Sequence, residues 1–180
     1  MNSPFRNERL IACLLLVGFG LSGQTPAPIF KKDLLVGSWK VNWEKSKLQA
    51  AGGPLPNLYR QYEDYGDGLM LHTVIVVDVP QKHAQLLLLA AVKYDNKEYP
   101  TYTGERLANR LSTGKQPLET VSFKVIDAYT MEWTDRTSGK LTGTGTVALS
   151  QDGNTMTDTA RNFDADGKQV SMAVLVYEKQ

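Results

Sequence analysis

Few residues in this sequence have the type and spacing to do chemistry. There are two histidines, His72 and His83. Beside carboxylates they would suit a general base or a metal site, but their spacing brings no acidic cluster to either. Asp164-Ala165-Asp166-Gly167 has the opening of a calcium loop. The glycine falls too early and no terminal Glu follows, so a turn is the better reading. A Gly-x-Ser-x-Gly elbow, a phosphate loop and a dinucleotide fingerprint are all missing. No catalytic set, metal site or cofactor is therefore expected. More promising is the alternation from Thr155 to Asn162. If Thr155, Thr157, Thr159 and Arg161 face solvent, Met156, Asp158, Ala160 and Asn162 face inward. Asp158 would then be a polar anchor among apolar walls, the usual composition of a ligand pocket. In the opposite register it would pair with a lysine outside. Trp39, Trp43, Phe123, Trp133 and Tyr177 also lie on apolar faces. The candidate ligand-lining residues are Trp43, Phe123, Met131, Trp133, Asp158 and Tyr177, with plain core packing as the alternative for the aromatic ones.

Strands must position these residues, because the hydrophobic pattern repeats with period two over most of the chain. Leu35, Gly37, Trp39, Val41 and Trp43 make one face of a first strand, and Lys45 to Pro56 reads as a break containing Gly52-Gly53-Pro54. Further strands are expected over 58–65, 69–79, 85–94, 98–103, 119–127, 129–136, 140–150, 155–163 and 169–179. In the 69–79 segment the expected buried row is Leu69, Leu71, Thr73, Ile75, Val77 and Val79. That leaves Met70, Val74 and Val76 as an outward apolar patch and His72 on the outer side. His83 falls in the following turn. Residues 104–117 are the least strand-like, and Glu105–Leu111 has the composition for two helical turns or a loop. Gly143 and Gly145 sit within a strand, where they would permit a bend. Asp152-Gly153 is a hairpin signal. About ten strands joined by short turns must run antiparallel, since parallel neighbours need long crossovers. A meander of this length removes its edges by closing. The expected fold is all-β, an up-and-down antiparallel barrel of 8–10 strands, with a β-sandwich as the alternative.

Composition bounds the rest. The chain has 180 residues and 42% apolar residues, enough for one ordinary domain with a conventional core. Arg6 and Arg9 precede an apolar run from Leu10 to Leu21, with Gly20 and Ser22 as small residues for cleavage. The run is too short to span a bilayer, which takes roughly 20 residues, so residues 1–23 read as a signal peptide. Leu10-Ile11-Ala12-Cys13 is not a lipobox, because the apolar run follows the cysteine. Residues 24–32 read as an extended lead-in and 33–180 as one barrel domain. Cys13 is the sole cysteine, so a cleaved product has no disulfide, thiolate nucleophile or thiolate metal ligand. It also has 18 basic and 18 acidic side chains and no basic block, which argues against nucleic acid. Export to a periplasm or the extracellular space is expected, and no segment of the mature chain reads as a membrane-spanning helix.

Gly37-Ser38-Trp39 in a first barrel strand resembles the Gly-x-Trp of lipocalins and related calycins. Val174-Leu-Val-Tyr-Glu-Lys179 resembles the closing strand of fatty-acid-binding proteins. The chain is also similar to small uncharacterised exported bacterial proteins with these two ends. The resemblance implies a lipocalin-like barrel. In fatty-acid-binding proteins an Arg two residues before the closing Tyr holds the ligand carboxylate. Tyr177 matches the Tyr, but Leu175 stands at the Arg position, so the carboxylate clamp does not transfer. The expected function is non-enzymatic binding of a small hydrophobic or amphipathic ligand. The alternatives are an envelope interaction module with a filled barrel, and a small barrel enzyme that would need His72 and a carboxylate in one pocket.

Overall fold

The computed structural model describes residues 28–49, 57–78, 83–103 and 119–180. The leader, its cleavage site and the 105–111 segment lie outside the described residues. One helical turn, α1 (Lys32–Leu35), precedes ten strands. They are β1 (Gly37–Gln49), β2 (Leu58–Asp64), β3 (Met70–Asp78), β4 (His83–Val92), β5 (Tyr99–Tyr102), β6 (Glu119–Val125), β7 (Thr130–Thr137), β8 (Lys140–Leu149), β9 (Thr155–Phe163) and β10 (Gln169–Lys179). Each strand pairs antiparallel with its neighbours in sequence, and β10 returns to β1, closing the barrel. The up-and-down barrel is thus the fold, and the sandwich is not. Closure removes the sheet edges that period-two strands would otherwise expose.

Several local expectations need correction. Leu35 belongs to α1 and not to the first strand, which starts at Gly37 with φ of +123°, a backbone conformation that favours glycine. The expected break after Lys45 is instead a bulge between Asn42 and Lys47, beyond which β1 continues pairing with β10 to Gln49. His83 opens β4 instead of lying in a turn. The largest error is the face of β3. Met70 and His72 are buried, while Val74 and Val76 pack against the core. The expected outward patch of Met70, Val74 and Val76 therefore does not exist. Both faces of this strand are apolar, so period two alone could not choose the inner one; pairing with β2 and β4 chooses it.

One end of the barrel is filled and covered. Trp39, Tyr177, Leu35, Met70, Met131, Met156, Val92 and Val147 are fully buried there. Burying a side chain of this size stabilises by roughly 1.5–3 kcal/mol, so this end carries much of the fold. The segment around α1 lies across it. Trp39 Nε1 donates to the Leu35 carbonyl at 2.7 Å and Lys179 Nζ to that of Leu34 at 2.8 Å. The Lys31 amide donates to Ala128 O at 2.9 Å, and Lys32 pairs with Asp64 at 2.6 Å. Phe30 meets the Tyr94 ring edge-on at 5.6 Å, and Leu34 packs on the Gly153 turn. These contacts tie α1 to the β2–β3, β4–β5, β6–β7 and β8–β9 turns, all at one end.

Gly143 and Gly145 leave room for Trp133, and the β7–β8 register shifts beside Gly143. A Cβ on Gly145 would lie 2.0 Å from the Thr159 carbonyl oxygen and 2.5 Å from the Trp133 ring. Trp133 pairs with Gly145 across β7 and β8 and lays its indole over it. Gly145→Ala is expected to lower unfolding stability by about 2 kcal/mol or more, measured by urea denaturation, with a changed Trp133 fluorescence in the folded state.

Candidate functional site

Above the filled end the wall side chains become small. Gly145 is covered by the Trp133 ring, and its β9 neighbour Ala160 pairs with Ala173 on β10, so β9 and β10 contribute little volume to the lumen at that level. A cavity of about 270 Å³ results. Val74, Leu88, Val121, Phe123 and Leu175 form its apolar wall, and Arg60, Asp135, Asp158 and Asn162 bring polar groups to it. This is near the lower limit of pockets that hold small molecules, roughly 300 Å³. It fits one ring or a short chain, not a long acyl tail.

At its base lies a buried ion pair. Asp158, on the inner face of β9 as its alternation suggests, is 2% exposed. It accepts from Arg60 Nη2 and, at its other oxygen, from Trp133 Nε1 at 2.9 Å. Arg60 also donates from Nε to Tyr177 Oη at 3.1 Å and from Nη1 to Tyr62 Oη at 3.3 Å. Burial opposes the guanidinium charge, but Asp158 and the two phenols offset this and hold its pKa well above the ordinary value. Burial also pushes the Tyr177 hydroxyl up to about 12. Both phenols therefore stay protonated at neutral pH.

The two other titratable groups on the wall are not ion-paired. His72 is 5% exposed, with Nε2 2.9 Å from Tyr94 Oη and with the Tyr62 and Phe123 rings edge-on at 4.7 and 4.8 Å. Burial, then the charge of Arg60, lowers its pKa to about 3, so it is neutral. Asp135, half-buried on β7 two residues beyond Trp133, makes no hydrogen bond or ion pair with a described residue. Burial and then the nearby Asp158 charge raise its pKa to about 6, against a lowering by Arg60. No cluster of three or more His, Cys, Asp or Glu suited to a metal occurs among the described residues.

Of the residues singled out by sequence, Phe123, Trp133 and Asp158 come together on the cavity wall. Tyr177 lies beneath it, joined through Arg60, and Met131 is fully buried in the filled end. Trp43 does not line the cavity; it packs on the core and its Nε1 is buried without a hydrogen-bond partner. Sequence reading missed Arg60, Tyr62 and Asp135 and placed His72 on the wrong side. Their signal was in the same alternation, with Arg60 between Leu58 and Tyr62, and Asp135 after Met131 and Trp133.

No family model matches the chain, and neither does any curated protein. Among solved structures it is similar to Rv2717c from M. tuberculosis, at 10% identity and a TM-score of 0.50, covering 83% of this chain and 94% of that one. At that identity the likeness concerns the fold alone.

Removing one partner of a buried pair strands the other's charge at a cost of about 3–5 kcal/mol, whereas replacing both by apolar groups is often close to neutral. Asp158→Ala is expected to destabilise by about that amount in urea titrations at pH 7, and the double variant Arg60→Met/Asp158→Leu by much less than the two single losses together. Asp135 works in the opposite direction. Its folded pKa lies above the unfolded value, so ionising it weakens the fold as pH rises from about 4 to about 6. Asp135→Asn should therefore raise stability at pH 7 by about 1–2 kcal/mol and leave it unchanged at pH 3.5, as measured by thermal melts at both pH values.

Proposed function

We propose that the protein is an exported, non-enzymatic carrier of the lipocalin-like, calycin type that holds one small amphipathic molecule in its lumen. The carrying observation is the contrast between the two ends of the barrel. One is packed with large side chains and covered by α1, while above it Ala160 and Ala173 border a cavity of about 270 Å³. A purely structural barrel gains by filling such space, because voids forfeit dispersion contacts. Apolar walls with a few fixed polar groups are the usual make-up of a binding site. Export rests on the charged, apolar and small-residue segments of the N-terminal sequence.

The interaction-module reading loses its support, since Val74 lines the cavity and Met70 is buried. An enzyme would use His72 with Asp135 or Asp158, which share the cavity wall. However, His72 Nε2 is engaged by Tyr94, and Asp158 by Arg60 and Trp133. Only Asp135 on the described wall keeps a carboxyl without a hydrogen-bonded partner, so a catalytic reading would rest on that one group.

Native mass spectrometry of the protein purified from its own host tests this reading. A reproducible small-molecule adduct that is lost on denaturation is expected. Ala173→Trp, which fills the cavity from β10, should remove the adduct while leaving the circular dichroism of the barrel unchanged. An adduct retained at full occupancy by the filled variant would place the ligand elsewhere and overturn the reading.

A further inference from the structure

A census of charge around the cavity narrows the ligand class. The wall carries one permanent cation, Arg60, and two carboxyls, Asp135 and Asp158. Each guanidinium nitrogen already has a partner, in Asp158, Tyr177 and Tyr62. Asp158 in turn has one oxygen on Arg60 and the other on Trp133. Three of the five guanidinium N–H groups are thus taken and the charge is matched by Asp158, so a ligand carboxylate would find no uncompensated cation there. Asp135 remains without a hydrogen-bonded partner among the described residues.

A second acceptor lies beside it. Asn162 donates from Nδ2 to Ser171 Oγ at 2.8 Å, which leaves its Oδ1 without a donor. A point one bond out from the Gly143 Cα lies 3.4 Å from Asn162 Oδ1 and 3.5 Å from Asp135 Cβ. The Trp133 ring lies 3.1 Å from the same point, so Asp135 and Asn162 converge on one corner of the cavity wall beside that ring. Ionised carboxylates only accept hydrogen bonds, so the complement of this corner is a cation carrying several N–H donors. The rings of Trp133 and Phe123, which line the same cavity, add π-faces of the kind that attract such cations.

We propose that the ligand is a small primary or secondary amine with an apolar body, its ammonium group held by Asp135 and Asn162. This rests on the carrier reading above and makes it specific. The groups facing Asp135 agree with it. Asp158 on β9 is neutralised by Arg60 on β2, and His72 on β3 is uncharged above pH of about 3. The β8 neighbour is Gly143, and β10 contributes Ala173 and Leu175 to the wall. The ionised Asp135 is the one uncompensated charge on the described wall.

Isothermal titration of the full chain at pH 7.5 with 2-phenylethylamine, 2-phenylethanol and 3-phenylpropanoate tests the head group on a nearly constant apolar body. The amine should bind at least tenfold tighter than the other two, and Asp135→Asn should erase that preference. Amine affinity should also fall as pH drops through about 6, where Asp135 takes up a proton. In carbon-13 NMR, amine should lower the pKa of the Asp135 carboxyl. Equal or tighter binding of the alcohol or the acid would overturn the amine assignment and leave the carrier reading standing. A preference that survives Asp135→Asn would overturn the role of this residue. No binding by any of the three up to millimolar concentration would overturn both readings.

Discussion

The ion pair between Arg60 and Asp158 is the constraint around which the lumen is arranged. Strands β2 and β9 are separated by β1 and β10, so the pair reaches across the inside of the wall and not along one strand ladder. Taking two such ions out of water costs several kcal/mol each, and geometry must offset that cost. Two further guanidinium N–H groups are therefore met by Tyr62 and Tyr177, and the second carboxylate oxygen by Trp133. Each of those side chains must then hold a fixed rotamer, which is why large aromatics sit at this level. An apolar layer of the same volume would pack with less order, since Met, Leu and Val contacts are not directional. The pair is weak evidence of stability but good evidence of a specified geometry.

The cavity follows from a mismatch in volume on the two sides of that layer. Below it, Met131, Val147, Met156 and Tyr177 fill the closed end. Above it, the same four strands present Asp135, Gly143 or Gly145, Ala160 and Ala173. A barrel of ten strands is wider than side chains of ordinary size fill, and Ala160 and Ala173 on adjacent strands leave space there. Trp133 is the exception that defines the boundary. Its ring fits only because Gly145 lacks a Cβ, and its nitrogen reaches Asp158 only from that position.

The sequence made the architecture legible because short turns and period-two alternation leave few topologies open. The inward placement of Asp158 was legible for the same reason, since Met156 and Ala160 flank it at the same period. The partner of Asp158 was not. Arg60 lies 98 residues away, and no local pattern states which strands meet across a lumen. His72 was misplaced because Leu71, Thr73 and Ile75 are as apolar as Met70, Val74 and Val76. A strand that is hydrophobic on both sides encodes its face only through its neighbours. Gly143 and Gly145 were read as backbone features, and periodicity did not show that they also leave room for a side chain on the neighbouring strand β7. Contacts between distant strands are the part of the site that sequence periodicity does not carry.

Asp135 and His72 show how the cavity wall weighs on the fold. His72 is held neutral, with a folded pKa of about 3, so the fold loses stability as pH falls from about 6.5 towards 3. Asp135 has a folded pKa of about 6, so the fold gains stability as pH falls from about 6 towards 4. The two effects oppose each other where their windows overlap, so a global acid titration reports only their net sum. They differ in origin. His72 is satisfied by Tyr94 and surrounded by rings, as a core residue is. Asp135 is ionised at neutral pH in a place that offers it no hydrogen bond from a described residue. A protein keeps such a destabilising group where the position serves something other than folding. The unmatched charge of the described wall therefore falls on Asp135.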